Sequence, residues 1–290
     1  MGMLFGQLAL LFIFGYLLIK ATDQLVNELR DISQITHIGK FGLTAFLIAF
    51  ATSLPELVVG IASALEGRPS LSLGNIIGSN IANVSLVVGG TAVIGGSVKV
   101  MGEFLKKDLF FAFLAGSLPL LLLIDAQLSR TDALVLFAVY IWFTTTALRQ
   151  KSEELVHHQE SGIPLLHRVL LKFSQPRARK HITWMVFWIL VLLFSAEMLV
   201  KISVNLAGGM GIPVILIGLI FISIGTTLPE FAFEVRAIRS GEPAMIFGNL
   251  VGSIVANSTL IIGLVALITP IKLDGGFQPY LLATVAFVVI

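Results

Sequence analysis

The sequence contains no cysteine, which excludes disulfides and thiolate metal sites. Charge is also sparse: 12% of its 290 residues are Asp, Glu, Lys or Arg, against the roughly 25% usual in a soluble domain. Its five histidines fall between the first two apolar runs or in the one long polar stretch and its edge, so the nucleophile–base pair of an intramembrane enzyme is missing. The first apolar run has no basic leader and no clear small-residue cleavage site, so it reads as a retained helix and not as a signal peptide. What remains is 56% hydrophobic, with a mean hydropathy of +0.96. Several apolar runs approach or exceed the roughly 20 residues that cross a bilayer as helix. This is the composition of an all-α, polytopic membrane protein. The net charge of +2 says little, because in such a chain the placement of charge matters more than its sum.

The apolar runs predict helices at 4–28, 41–66, 71–97, 104–124, 131–148, 182–206, 212–238 and 244–269, with a ninth beginning near Pro279. Helix 2 is expected to break near Pro55 and helix 3 near Gly78. The polar segment 149–181 carries seven lysines and arginines, Arg149, Lys151, Arg168, Lys172, Arg177, Arg179 and Lys180. Loops on the same side of the predicted topology add more, among them Lys99, Lys106, Arg236 and Arg239, whereas the opposite loops hold Arg68, Arg130 and Lys272. The positive-inside rule makes 149–181 a cytoplasmic basic linker in the cell membrane, with the N-terminus outside.

The chain says one thing twice. Thr52-Ser53-Leu54-Pro55-Glu56 returns as Thr226-Thr227-Leu228-Pro229-Glu230, and Gly74-Asn75-Ile76-Ile77-Gly78-Ser79 returns as Gly248-Asn249-Leu250-Val251-Gly252-Ser253. Asn83 returns as Asn257 in the same register. An odd number of spans in each copy makes the second enter the membrane from the opposite side. The expected architecture is two inverted-topology five-helix repeats, at 1–148 (helices 1–5) and 182–290 (helices 6–9). The segment from Lys272 to Phe277 resembles that from Lys99 to Phe104, which places a complete second repeat some 30 residues beyond Ile290. The sequence is therefore expected to be a truncated form of a ten-helix protein, lacking its last one and a half helices.

Each copy holds a Pro-Glu pair within an apolar stretch. Proline removes a helical hydrogen bond and frees a carbonyl about four residues earlier, near Ala51 and Thr52 or near Gly225 and Thr226. Inside a membrane such a carbonyl must find a partner or line a cavity. Beside a carboxylate it contributes to an oxygen cage for a hard cation, and calcium takes six to eight oxygens in flexible geometry. The hydroxyls of Thr52, Ser53, Thr226 and Thr227 enlarge that set. Ser79 and Asn83 lie four residues apart on one helical face, as do Ser253 and Asn257. Two ionised residues at helix centres cost about 5–7 kcal/mol on insertion scales, and no lysine or arginine is predicted at that depth. A divalent cation between Glu56 and Glu230 neutralises both; two protonated glutamates tying helices together is the structural alternative. Glu234, one turn after Glu230, aligns with Gly60 and reads as an interfacial ion-pair residue or as a carboxylate on the access path. Asp23 and its counterpart Glu197 read as interfacial or inter-helix contacts.

These motifs resemble the two alpha-repeats of the calcium/cation antiporter superfamily, which holds the sodium/calcium exchangers and their prokaryotic relatives. The resemblance implies ten helices, with helices 2, 3, 7 and 8 forming the site and helices 1 and 6 sliding across it. It implies Glu56 and Glu230 as calcium ligands, assisted by the carbonyls of Thr52 and Thr226. Sodium sites would involve Ala49, Ser53, Ser79, Ser223, Thr227 and Ser253, with Asn83 and Asn257 closing the ring. Many relatives carry Asp where this chain has Asn257, which leaves two formal negative charges: enough for one calcium, two sodium ions or two protons. Phe50-Ala51 also departs from the usual Phe-Gly, which Gly225 keeps in the second copy.

The reading is a secondary active antiporter, not an enzyme, exchanging Ca2+ for Na+ by alternating access. Proton/calcium exchange at the same site is the alternative. A metabolite transporter with inverted repeats is a remote one, since the motifs offer oxygens and not the aromatic or basic groups an organic substrate needs; a passive channel is distinguished only by flux. No cofactor and no nucleic acid are expected. The partners are the transported ions and membrane lipid, and the chain is expected to be monomeric.

Overall fold

The computed structural model describes residues 2–36, 53–95, 102–155, 176–239 and 243–273. It is helical apart from one short ladder. In chain order come α1 (Gly2–Thr36), α2 (Leu54–Leu65), α3 (Pro69–Gly95), α4 (Gly102–Leu122) and α5 (Arg130–Leu155). Then follow α6 (Pro176–Met210), α7 (Val214–Arg239) and α8, which starts at Pro243 and ends at Ile268. Gln127–Leu128 (β1) pairs antiparallel with Ile271–Lys272 (β2), an element the apolar runs do not announce.

Five of these helices are long and apolar enough to cross a membrane by length and composition: Phe5–Leu25 in α1, α3, α6, α7 and Ile246–Ile268 in α8. The distribution of side chains is that of a protein in lipid. Large apolar residues such as Phe12, Tyr16, Leu121, Ile141, Leu190 and Phe194 face outward, while Ser, Thr, Asn and Glu fill the centre. The peripheral pair is α1 and α6, which pack along one another through Leu11, Leu18, Ala21, Leu192, Ala196 and Leu199 and through an edge-to-face contact of Phe14 with Phe194. His181 Nδ1 lies 2.6 Å from Glu28 Oε2 across the same pair.

Two turns arrange the inner helices. Gly67 (φ +68°) ends α2, with Arg68 N–H donating to Ser63 O at 2.8 Å; Gly211 (φ +65°) ends α6, with Ile212 N–H donating to Ala207 O at 3.1 Å. In each, glycine takes the left-handed conformation that lets the chain reverse within a few residues.

The helix boundaries depart from the sequence expectations in instructive ways. Helix 1 runs on to Thr36, past the end of its apolar run, because its polar second half still packs on α6. The break in helix 3 is not at Gly78, which lies within the regular stretch Pro69–Ala82, but at a π-helical segment, Asn83–Val88. Equivalent segments interrupt α7 at Gly218–Ile222 and α8 at Ala256–Ile261. Such widened turns leave backbone groups without their usual partner and are frequent at functional sites. Pro55 occupies the first turn of α2, where its missing N–H is harmless, whereas Pro229 sits inside a continuous helix, Ser223–Arg239. Helix 5 extends to Leu155 and helix 6 starts at Pro176, so both enter the segment 149–181. Ala49, Thr52, the rest of that segment and the helix expected from Pro279 lie outside the described residues.

Candidate cation site

Helix α3 is the hinge-pin of the centre, and glycine explains how. A methyl group on Gly74 would collide with the carbonyl oxygen of Ile215, and one on Gly78 with Leu219 O and Ser223 of α7. From the other side, a methyl on Gly218 would meet Leu71 O. Small residues thus bring the backbones of α3 and α7 into direct contact, as small-residue motifs do between membrane helices. Side chains flanking that contact are forced to face one another.

The result is a polar centre shared by α2, α3, α7 and α8. Glu56 and Glu230 are both 0% exposed. Ser79 Oγ donates to Glu56 Oε1 at 3.3 Å and lies 3.2 Å from Thr226 Oγ1, one turn before Glu230. Thr226 in turn reaches Asn75 Oδ1 at 3.2 Å. Ser53 and Ser253 hydroxyls meet at 3.5 Å across α2 and α8. Asn257 Nδ2 donates to Asn80 Oδ1 at 3.4 Å, and Asn80 Nδ2 donates to Ser258 Oγ at 2.8 Å.

Of the twelve residues expected at a site, ten are described, and all ten are buried: Ser53, Glu56, Ser79, Asn83, Ser223, Thr226, Thr227, Glu230, Ser253 and Asn257. They do not all point alike. Thr227 Oγ1 donates to Ser223 O at 2.7 Å, and Ser223 Oγ donates to Leu219 O, so both hydroxyl protons are spent on their own helix. Asn75, Asn80 and Ser258 join the network without having been singled out. Asn75 could have been found, since it recurs as Asn249 in the repeated Gly-Asn; Asn80 and Ser258 have no polar counterpart in the other copy and left no such signal.

The telling atoms are those with no hydrogen-bond partner among the described residues. They include Glu56 Oε2, both carboxylate oxygens of Glu230, Asn83 Oδ1 and Asn257 Oδ1. A buried acceptor without a donor is strongly unfavourable, and a buried charge more so. No lysine or arginine pairs with either glutamate among the described residues. Oxygen acceptors in this number, two of them carboxylates, suit a hard cation.

A model of the family described as sodium/calcium exchanger protein matches residues 6–149 and 180–290. The chain belongs to that family. Among its relatives is the sodium/calcium exchanger MaX1 of Methanosarcina acetivorans, 27% identical over 284 residues that cover 88% of this chain and 81% of MaX1. The fold is that of two solved structures. One is the H+/Ca2+ exchanger CAX, with TM-score 0.71, 18% identity and coverage of 98% of this chain and 73% of CAX. The other is the sodium–calcium exchanger NCX_Mj, with TM-score 0.60, 22% identity and coverage of 99% and 90%. The family is one of exchangers, and membership accounts for the membrane helices and the buried polar centre together.

Proposed function

We propose that this chain exchanges Ca2+ for Na+ across the membrane, with one cation site at Glu56 and Glu230 between α2, α3, α7 and α8. The observation that carries the reading is the set of unpartnered acceptors on Glu56, Glu230, Asn83 and Asn257. Calcium would take the two carboxylates, the two amide oxygens and carbonyls of the Thr52 and Thr226 turns. Two negative charges balance one calcium, or two monovalent ions in its place. Competition for the same oxygens then couples the fluxes: the site reorients when its charge is balanced, because moving bare carboxylates through a low-dielectric barrier is far costlier.

Alternating access follows from two inverted repeats, residues 1–148 and 182–290, joined by the basic linker 149–181 on the cytoplasmic side with the N-terminus outside. Support comes from the shared motif register and from π-helical segments that begin at Asn83 in α3 and at Ala256 in α8. The long, lipid-facing pair α1 and α6 is suited to slide over the inner four helices. A monomer suffices for this scheme.

The decisive experiment is calcium-45 uptake into liposomes loaded with sodium, at clamped pH, with Glu230→Gln as control. Uptake that follows the sodium gradient and vanishes in the control is the expected result. Proton/calcium exchange at the same site is the second reading, supported by the likeness in fold to CAX, an H+/Ca2+ exchanger. Uptake that follows a pH gradient without sodium would replace the first reading by this one.

A further inference from the structure

Glu234 is the one carboxylate of the polar centre with no counterpart in the first copy, where Gly60 stands. Its side chain is buried, 1% exposed. Asn249 Nδ2 donates to its Oε1 at 3.4 Å, and no lysine, arginine or histidine pairs with it among the described residues. Its Oε2 has no hydrogen-bond partner among them.

A second unpartnered oxygen lies in the same neighbourhood. Thr91 is 0% exposed, and its Oγ1 has no partner among the described residues. Two lines of geometry set it against Glu234. The end of α3 runs parallel to α7, with Gly90 against Phe231 and Gly95 against Ile238. One turn before Gly95 is Thr91, and one turn before Ile238 is Glu234, on the same facing sides. The repeat relation agrees. A methyl group on Gly60 would meet Val265, and the register that maps Gly60 onto Glu234 maps Val265 onto Thr91.

We infer that Glu234 and Thr91, held by Asn249, form a second cation subsite one helical turn from Glu230, specific for a monovalent ion. One carboxylate balances one positive charge; a divalent ion there would keep an uncompensated charge in a low-dielectric interior. The subsite gives a coupling ion a place that calcium does not use, and it extends the cation path from Glu230 along α7. The inference rests on the cation-antiporter reading of the centre, but its test separates the two.

The test is equilibrium binding of sodium-22 and of calcium-45 to the purified full chain in lipid nanodiscs. In a Glu56→Gln/Glu230→Gln variant, saturable sodium-22 binding should persist. Adding Glu234→Gln should weaken it by at least about tenfold, and adding Thr91→Val by several-fold. In the otherwise unaltered chain Glu234→Gln should lower the number of sodium ions bound per protein while leaving calcium-45 binding within about twofold, which keeps the inference open to refutation even if the double variant misfolds. Sodium-22 binding indifferent to both substitutions, or absent throughout, overturns the subsite. Calcium-45 binding that Glu230→Gln does not reduce overturns the central site instead, whatever sodium-22 shows.

Discussion

The two copies of the motif share their residues but not their surroundings. In the first, Gly74 and Gly78 press α3 onto the backbone of α7. In the second, the equivalent Gly248 and Gly252 have nothing among the described residues within 4 Å of where a methyl group would sit, and the positions that the repeat register sets against them, 41, 45 and 49, lie outside those residues. Glu56 has a hydroxyl donor in Ser79, whereas Glu230 has no side-chain partner among the described residues. Asn80 bridges to α8, whereas its counterpart Ile254 is packed in an apolar cluster with Leu250 and Ala115. Gly60 in one copy is Glu234 in the other. Among the described residues the first copy supplies the tight backbone contact of α3 with α7, and the second supplies the carboxylate that has no counterpart, Glu234.

The largest expected effect separates the two glutamates. Glu230→Gln removes a carboxylate whose two oxygens both lack a hydrogen-bond partner among the described residues, and calcium binding should weaken by at least about 100-fold, equivalent to ~2.8 kcal/mol. Glu56→Gln should also be severe but milder, because Ser79 already satisfies one oxygen of Glu56. Calorimetric titration of calcium into each purified variant checks the order. A reversed order would mean that Ser79 releases Glu56 when the ion arrives.

The glycines come next. Gly78→Ala drives a methyl group into Leu219 O and Ser223, and overpacking of this kind costs about 1–3 kcal/mol. Gly252→Ala meets nothing within 4 Å among the described residues and should be neutral or stabilise α8 by about 0.5–1 kcal/mol, since alanine is the better helix former. Thermal unfolding in detergent micelles reads both. Equal losses in the two variants would show that α8 is packed at Gly252 as closely as α3 is at Gly78.

A third comparison concerns the asparagines. Asn80→Leu strips a partner from both Asn257 and Ser258 and should destabilise by about 1–3 kcal/mol, the usual penalty for stranding buried polar groups. Ile254→Leu at the equivalent position keeps apolar volume and should cost less than about 1.5 kcal/mol. The same unfolding measurement decides, and a neutral Asn80→Leu would show that the bridge between α3 and α8 is dispensable.

Much of this centre was legible in the amino-acid sequence because duplication marks residues that packing alone would not repeat. Glu56, Glu230, Ser79, Ser253, Asn83 and Asn257 stand out in register, and all are buried at the centre. What escaped was set by contacts between distant segments. The break at Asn83–Val88 carries no proline or unusual glycine, so nothing local announces it. Two-residue strands have no periodicity to detect, yet β1 and β2 tie the start of α5 to the end of α8. Glu234 stayed between two readings because Arg236 and Arg239 lie close in sequence, while its burial depends on how α7 packs against α3 and α8.

The smallest expected effect falls on adjacent threonines. Thr226 links Ser79 and Asn75 across α3 and α7, so Thr226→Ala removes a hydroxyl that joins two helices at the carboxylates and should weaken cation binding several-fold. Thr227 donates to Ser223 O within its own helix. Such a bond is replaced at little cost, because the carbonyl keeps its helical donor. Thr227→Ala should therefore change calcium and sodium affinity by less than about twofold, or ~0.4 kcal/mol. Sodium competition against bound calcium-45 resolves differences of that size. If Thr227→Ala proved as damaging as Thr226→Ala for sodium but not for calcium, the Thr227 hydroxyl oxygen would be a sodium ligand, and the second copy of the motif would hold the coupling ion through a residue that the network around Glu56 does not use.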